Sequence, residues 1–313
     1  MGEETMDLAA DRAVEAILRD ELARESRALA AVVPVLRHLL ASDAHALVSE
    51  AILARVRGMI LDLAAQLLAV IAGRDPATRW PAPADARARD RLAEALMADE
   101  VLLGFCHALA AESLIAERLQ QRHAIDPVLS PLLQELIASE DPAIAALAMQ
   151  ALAAQSRFVQ GQRRMELPLG ELPAELFHAL VARARNEAPE EGALARLQAG
   201  YDEAAGRLGL IARLVAAMRR GAVAAFGLDH AGLALFASAL AAAARCPREH
   251  VVLACHEGQG MRLSLMLRAA GVAPAAAERQ QLLVAPSAAM HRALAGIAPE
   301  RAAALLAGGG GAA

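Results

Sequence analysis

Apolar residues recur every three to four positions along most of this chain, and proline, glycine and capping residues cut the pattern into segments. Thr5 or Asp7 can cap a first helix running to about Ala31, and Pro34 stands where a helix can restart. Ser42-Asp43 is the expected cap of a long segment, 44–72. At about 100° per residue, Ile52, Val56, Met59, Ile60, Leu63, Leu67, Val70 and Ile71 fall on one stripe of it. Leu53, Leu61 and Leu68 widen that stripe, and Arg55, Asp62 and Gln66 share the narrow side left over. A helix apolar over half its circumference meets protein on two sides. The pattern predicts a central helix between intramolecular neighbours, with a homodimer or partner interface as the alternative.

The segment 73–84 breaks the pattern. It holds Pro76, Pro81, Pro83 and the lone tryptophan, Trp80, and proline lacks the amide donor a helix interior needs. Further on, Asp126-Pro127 and Asp141-Pro142 repeat one device: the aspartate accepts from free amides and proline takes the first helical position. They predict a helix over 128–137 and a longer one from Ala143 to Arg164. Glu166-Leu167-Pro168 and Glu171-Leu172-Pro173 follow. Residues before proline are pushed to extended geometry, so this stretch reads as an ordered arm whose leucines dock. A helical region spans Pro189 to Arg220. Short helices then start at Asp229, Pro247, near Gly260, and at Pro274, Pro286 and Pro299. Short antiparallel helices cannot each bury a face alone, so they are expected to stack as in α-solenoids.

Composition agrees with helix throughout. Of 313 residues 57% are hydrophobic and only 2% aromatic; alanine fills about a quarter, and all 31 cations are arginine. The net charge of −5 gives no global basic footprint for nucleic acid. Three cysteines are too few for a disulfide framework, which suits a reducing compartment. The acidic start of the chain does not resemble a secretory signal, and its apolar runs fall short of the ~20 residues a membrane span needs. A cytoplasmic location without membrane attachment is therefore expected.

Candidate chemistry is sparse. Cys246, His250, Cys255 and His256 form the densest group of metal-capable side chains, but on a helix they diverge instead of forming a tetrahedral set. His38 beside Arg37 is a candidate phospho-accepting histidine. Cys106 and His107 are adjacent, so on a helix they point about 100° apart and do not form a nucleophile–base pair. His178, His230 and His291 have no evident partners in the sequence. Gly206-Arg-Leu-Gly209 and Gly258-Gln-Gly260 lack the preceding strand that gives a phosphate-cradling loop its meaning. The arginine groups Arg157/Arg163/Arg164 and Arg213/Arg219/Arg220 suit helix C-termini; brought together, they could hold an acidic peptide or a phosphate. Neither a catalytic set, a metal site nor a cofactor site is assigned.

The run from Asp126-Pro127 to Arg164 with its Leu-Pro connectors resembles an alphaproteobacterial family with HEAT-like helical repeats, the domain of unknown function 2336. Ala231–Leu240, Cys246–Val252 and Met266–Val272 extend the resemblance, which covers about residues 110–285. It implies a helical-repeat fold and brings no catalytic residues. The expected architecture is all-α: an N-terminal helical bundle (1–72), a Pro-rich linker (73–84), HEAT-like antiparallel repeats (85–307) and a flexible tail (308–313). The expected function is non-enzymatic, a protein–protein interaction scaffold or regulatory adaptor with a protein partner, or a homodimer through helix 44–72. The alternatives are a signalling component phosphorylated at His38 and a metal-binding enzyme using the Cys246–His256 region.

Overall fold

Alanine, leucine and arginine bring little side-chain entropy cost to a helix, and no strand forms among the described residues. A computed structural model describes residues 2–41, 49–76, 86–185, 191–256, 259–285 and 292–309. The chain is all-helical, and no described helix is long and apolar enough to cross a membrane. By internal contact it divides into two units, each assembled from separate stretches. One comprises residues 1–32, 114–138 and 218–313; the other comprises 33–113 and 139–217. This division runs along different lines from the consecutive segments read from the sequence, because helices distant in the chain share each core.

The unit formed by 33–113 and 139–217 is organised around one central helix. Its elements are the end of α1 (Gly2–Ala41), α2 (Glu50–Ile71), α3 (Ala86–Met97), most of α4 (Glu100–His123), and α6 (Pro142–Arg163). To these it adds α7 (Ala174–Arg185), α8 (Glu191–Ala199) and α9 (Arg207–Met218). α5 (Pro131–Ile137) belongs to the other unit. α2 begins at Glu50 with Ser49 as its cap, its side chain accepting from the Ile52 amide. The predicted cap Ser42-Asp43 and residues 44–48 lie outside the described residues. Val56, Met59, Ile60, Leu63 and Leu67 are fully buried, and α2 packs against α3, α7 and α8.

The narrow polar side of α2 proves to be an internal surface. Gln66 is only 4% exposed: its Nε2 donates to the Leu167 carbonyl (2.9 Å) and its Oε1 accepts from the Leu169 amide (2.9 Å). Asp62 Oδ2 accepts from the Leu167 amide at 2.9 Å and from Gln66 Nε2 at 2.8 Å. Two side chains thus satisfy three backbone groups of the Leu-Pro arm. The prolines keep the arm extended, so these groups have no helical partners of their own. Leu167, Leu169 and Leu172 dock into the core as the sequence led us to expect.

Asp141 caps α6 as predicted, accepting from Ala143 and Ile144. Asp126 does not start a helix: its carboxylate closes a turn by accepting from Val128 and Leu129, and Ser130 caps the two-turn α5 instead. The helical region expected over 189–220 is interrupted. Asp202 caps a single 3-10 turn, Glu203–Ala205, before α9 begins, and Pro189 lies outside the described residues. Gly209 makes the close approach there feasible, since a Cβ on it would stand 2.3 Å from the Glu203 carbonyl.

The other unit gathers the first part of α1, the end of α4, α5 and a 3-10 helix over Arg219–Phe226. It is completed by α10 (Leu228–Ala244), α11 (Arg248–Ala254), α12 (Gly260–Ala269), α13 (Pro274–Val284), α14 (Arg292–Ala295) and α15 (Pro299–Gly309). Five of the six predicted starts fall within a residue of observed ones; the sixth, Pro286, lies outside the described residues. α10 packs against α5, α11, α12 and α13, while Leu18 and Leu22 of α1 meet Leu265, Leu294 and Leu305. Gly232 kinks α10 at φ 68°, and a Cβ there would approach Ser130 to 3.1 Å, so both backbone and neighbour require glycine. Pro34, on the part of α1 that belongs to the 33–113/139–217 unit, sits inside the helix and does not restart it. Gly308 and Gly309 end α15, and 310–313 lie outside the described residues.

Candidate functional site

α4, α6 and α9 bring three residues that the sequence reading passed over into one buried cluster. Arg207, at the first position of α9, is 2% exposed. Its Nη1 and Nη2 donate to the two carboxylate oxygens of Glu112 at 2.8 and 3.0 Å, and Nη1 also reaches Gln155 Oε1 at 3.1 Å. The guanidinium lies 3.6 Å from the centroid of Phe158. Such a fork, with both carboxylate oxygens engaged and a ring face beneath, is the geometry in which a buried charge pair recovers its desolvation cost. Glu171 of the arm completes it, its Oε2 accepting from the Arg207 amide at 2.7 Å at the open start of α9.

A signal for Glu112 was present. Phe105, Leu109, Ala116 and Leu119 are buried at the helical spacing that places Glu112 on the same stripe. A carboxylate in the middle of an apolar stripe calls for a buried cation. Nothing in the local sequence names Arg207 as that cation, because 95 residues separate the pair.

Beside this cluster lies a cleft of about 150 Å³ between the end of α6, the arm and the start of α9. Leu109, Phe158, Leu167, Pro168 and Leu208 give it apolar walls, and Arg157, Gln160 and Arg164 line it from α6. Arg164 is engaged with Glu166 at 2.8 Å. Arg157 is exposed and has no ion pair among the described residues. Gln162, 1% exposed, also lines the cleft; its Nε2 contacts Met59 Sδ at 3.2 Å while its Oε1 has no hydrogen-bond partner. A buried acceptor left unmatched costs about 1–3 kcal/mol. A second, more open groove of about 420 Å³ is lined by Gly170, Leu172, Pro173, Gly206, Gly209 and Arg213 among others.

The arginine groups are thus redistributed. Arg157 and Arg164 share the cleft, Arg163 is exposed and does not line it, and Arg213 lines the second groove. Arg219 and Arg220 belong to the other unit. The pair Gly206/Gly209 serves close packing of the 3-10 turn on α9 and not a phosphate loop.

The remaining candidates do not assemble. Among the described residues no group of three or more His, Cys, Asp or Glu side chains is placed to hold a metal ion, the Cys246–His256 region included. Burial pushes the Cys246 thiol up and holds the His250 imidazole below its ordinary value. Cys106 is fully buried and its thiol is pushed up to about 12 by desolvation, so it is poorly suited to act as a nucleophile. His38 lies on α1 with its side chain outside the described residues, as is His291 altogether. His178 packs edge-on against the stacked Phe177 and Tyr201 rings, and His230 lies 3.4 Å from Glu135.

No family model, characterised protein or solved structure matches this chain.

Proposed function

We propose that this chain is a cytoplasmic scaffold or regulatory adaptor that binds a protein partner, built on HEAT-like helical repeats of the kind found in the domain of unknown function 2336. The cleft beside the Leu-Pro arm carries the reading. It combines apolar walls, one uncommitted arginine at the rim and an unmatched buried amide oxygen, a composition that suits a partner's side chain and backbone. The run of short helices α10 to α13, each packed on the next, supports the repeat architecture.

A photo-cross-linking amino acid in place of Arg157, in the full chain expressed in its own cells, tests the proposal. The expected result is a discrete adduct that is missing when the same probe replaces Met149, an exposed residue near the start of α6. An adduct of twice the chain's mass identifies the partner as a second copy. Absence of adducts from Arg157, Arg164 and Arg213 alike overturns the reading.

A further inference from the structure

We propose that the cleft between α6 and the arm takes one leucine-sized side chain of a partner protein whose neighbouring acidic residue pairs with Arg157. This rests on the adaptor reading and names the partner's chemistry. The cleft's 150 Å³ suits a single aliphatic side chain, and its walls are Leu109, Phe158, Leu167, Pro168 and Leu208. The charges around it are unequal in availability. Arg207 is matched by Glu112, Arg164 by Glu166, and Glu171 is occupied by the Arg207 amide. Arg157 alone remains uncommitted, so the field offered to an incoming group at the rim is positive. Gln162 adds the third element. Its Oε1 lacks a donor, although the side chain is almost wholly buried beside the cleft. An apolar group, an anion and an N–H donor together are what a peptide supplies; a fatty acid lacks the donor, and a nucleic acid lacks the aliphatic side chain.

The test uses the full chain and a fluorescein-labelled peptide of alternating glutamate and leucine, followed by fluorescence anisotropy. Saturable binding below about 1 mM is expected, weakening as salt is raised. Arg157→Glu lies on the exposed rim, so helix content by circular dichroism stays unchanged while affinity falls about tenfold. Replacing glutamate by lysine in the peptide restores binding to that variant. Arg163→Glu changes net charge equally but lies off the cleft, and binds as the parent does. Four results overturn the proposal: no saturation with the parent, an equal loss in Arg163→Glu, undiminished binding of a glutamine-for-glutamate peptide, or equal binding of labelled oligothymidylate. Cross-links from Arg157 alongside a failed peptide titration would reject this chemistry and leave the adaptor reading standing. Loss of both would remove the two together.

Discussion

Each unit of this protein is tied by a buried carboxylate working with an arginine, and the two ties differ in how completely they are matched. In the 33–113/139–217 unit, both oxygens of Glu112 meet the Arg207 fork, and Gln155 and the Phe158 ring complete the guanidinium's surroundings. In the other unit, Glu25 of α1 is 6% exposed and accepts the Arg262 amide at 3.0 Å at the start of α12. The Arg262 side chain turns instead to Ser26 Oγ at 2.5 Å, and its Nε has no hydrogen-bond partner. One tie is closed and the other is open. A closed pair resists removal of either partner; an open one responds to the proton concentration.

The largest effect tests the closed pair. Arg207→Ala or Glu112→Ala leaves an opposite charge buried and unmatched, and should cost about 3–5 kcal/mol in urea unfolding. Replacing both, as Arg207→Met with Glu112→Leu, should recover most of that loss, because no charge is then stranded. If the double variant is as unstable as the sum of the single ones, the pair is not the coupled unit described here.

The second test concerns the arm. Gln66→Leu preserves volume but strands the Leu167 carbonyl and the Leu169 amide, a loss of about 2–3 kcal/mol. Arg164 is exposed at the start of the connector, so faster tryptic cleavage there should report detachment of the arm. Unchanged cleavage would mean that the docked leucines hold the arm without α2's polar side.

These two devices mark the boundary of what the sequence discloses. Helix class, the Asp141 cap, the docking of Leu167 and Leu172, and most of the C-terminal starts follow from local rules of capping and spacing. The roles of Asp62, Gln66, Glu112 and Arg207 do not, since each depends on a partner about 95–105 residues away. Helical periodicity puts Gln66 on the polar side of α2, beside Asp62, and the structure has it there. Its burial was invisible because an extended arm, whose backbone needs donors and acceptors, covers a polar helix face as readily as leucine covers an apolar one. The cleft was legible only as a local excess of arginine, because which arginine stays unpaired is decided by Glu166 and Glu112 in the fold. The same holds for α10, whose first amide is capped by Gln280 Oε1 at 2.7 Å from α13 and not by a residue of its own start.

The smallest effect probes the open tie, and its sign is informative. Burial raises the Glu25 carboxyl from its ordinary 4.5 to about 7, and the nearby Glu21 charge adds to the rise. The Arg262 amide and charge oppose that rise without cancelling it. The folded chain therefore holds this proton more tightly than the unfolded chain does. Stability from Glu25 is complete below about 4.5 and is lost as pH rises through about 7. The loss from pH 5 to pH 8 should be on the order of 2 kcal/mol, less than the whole shift converts to, because solvent screens part of it. Glu25→Gln keeps an acceptor for the Arg262 amide and carries no charge. It should match the parent near pH 5, melt higher than the parent at pH 8, and slow hydrogen exchange at the first amides of α12 there. A variant with the parent's slope would show that another group governs the pH response. The asymmetry between the two ties would then lie in packing alone.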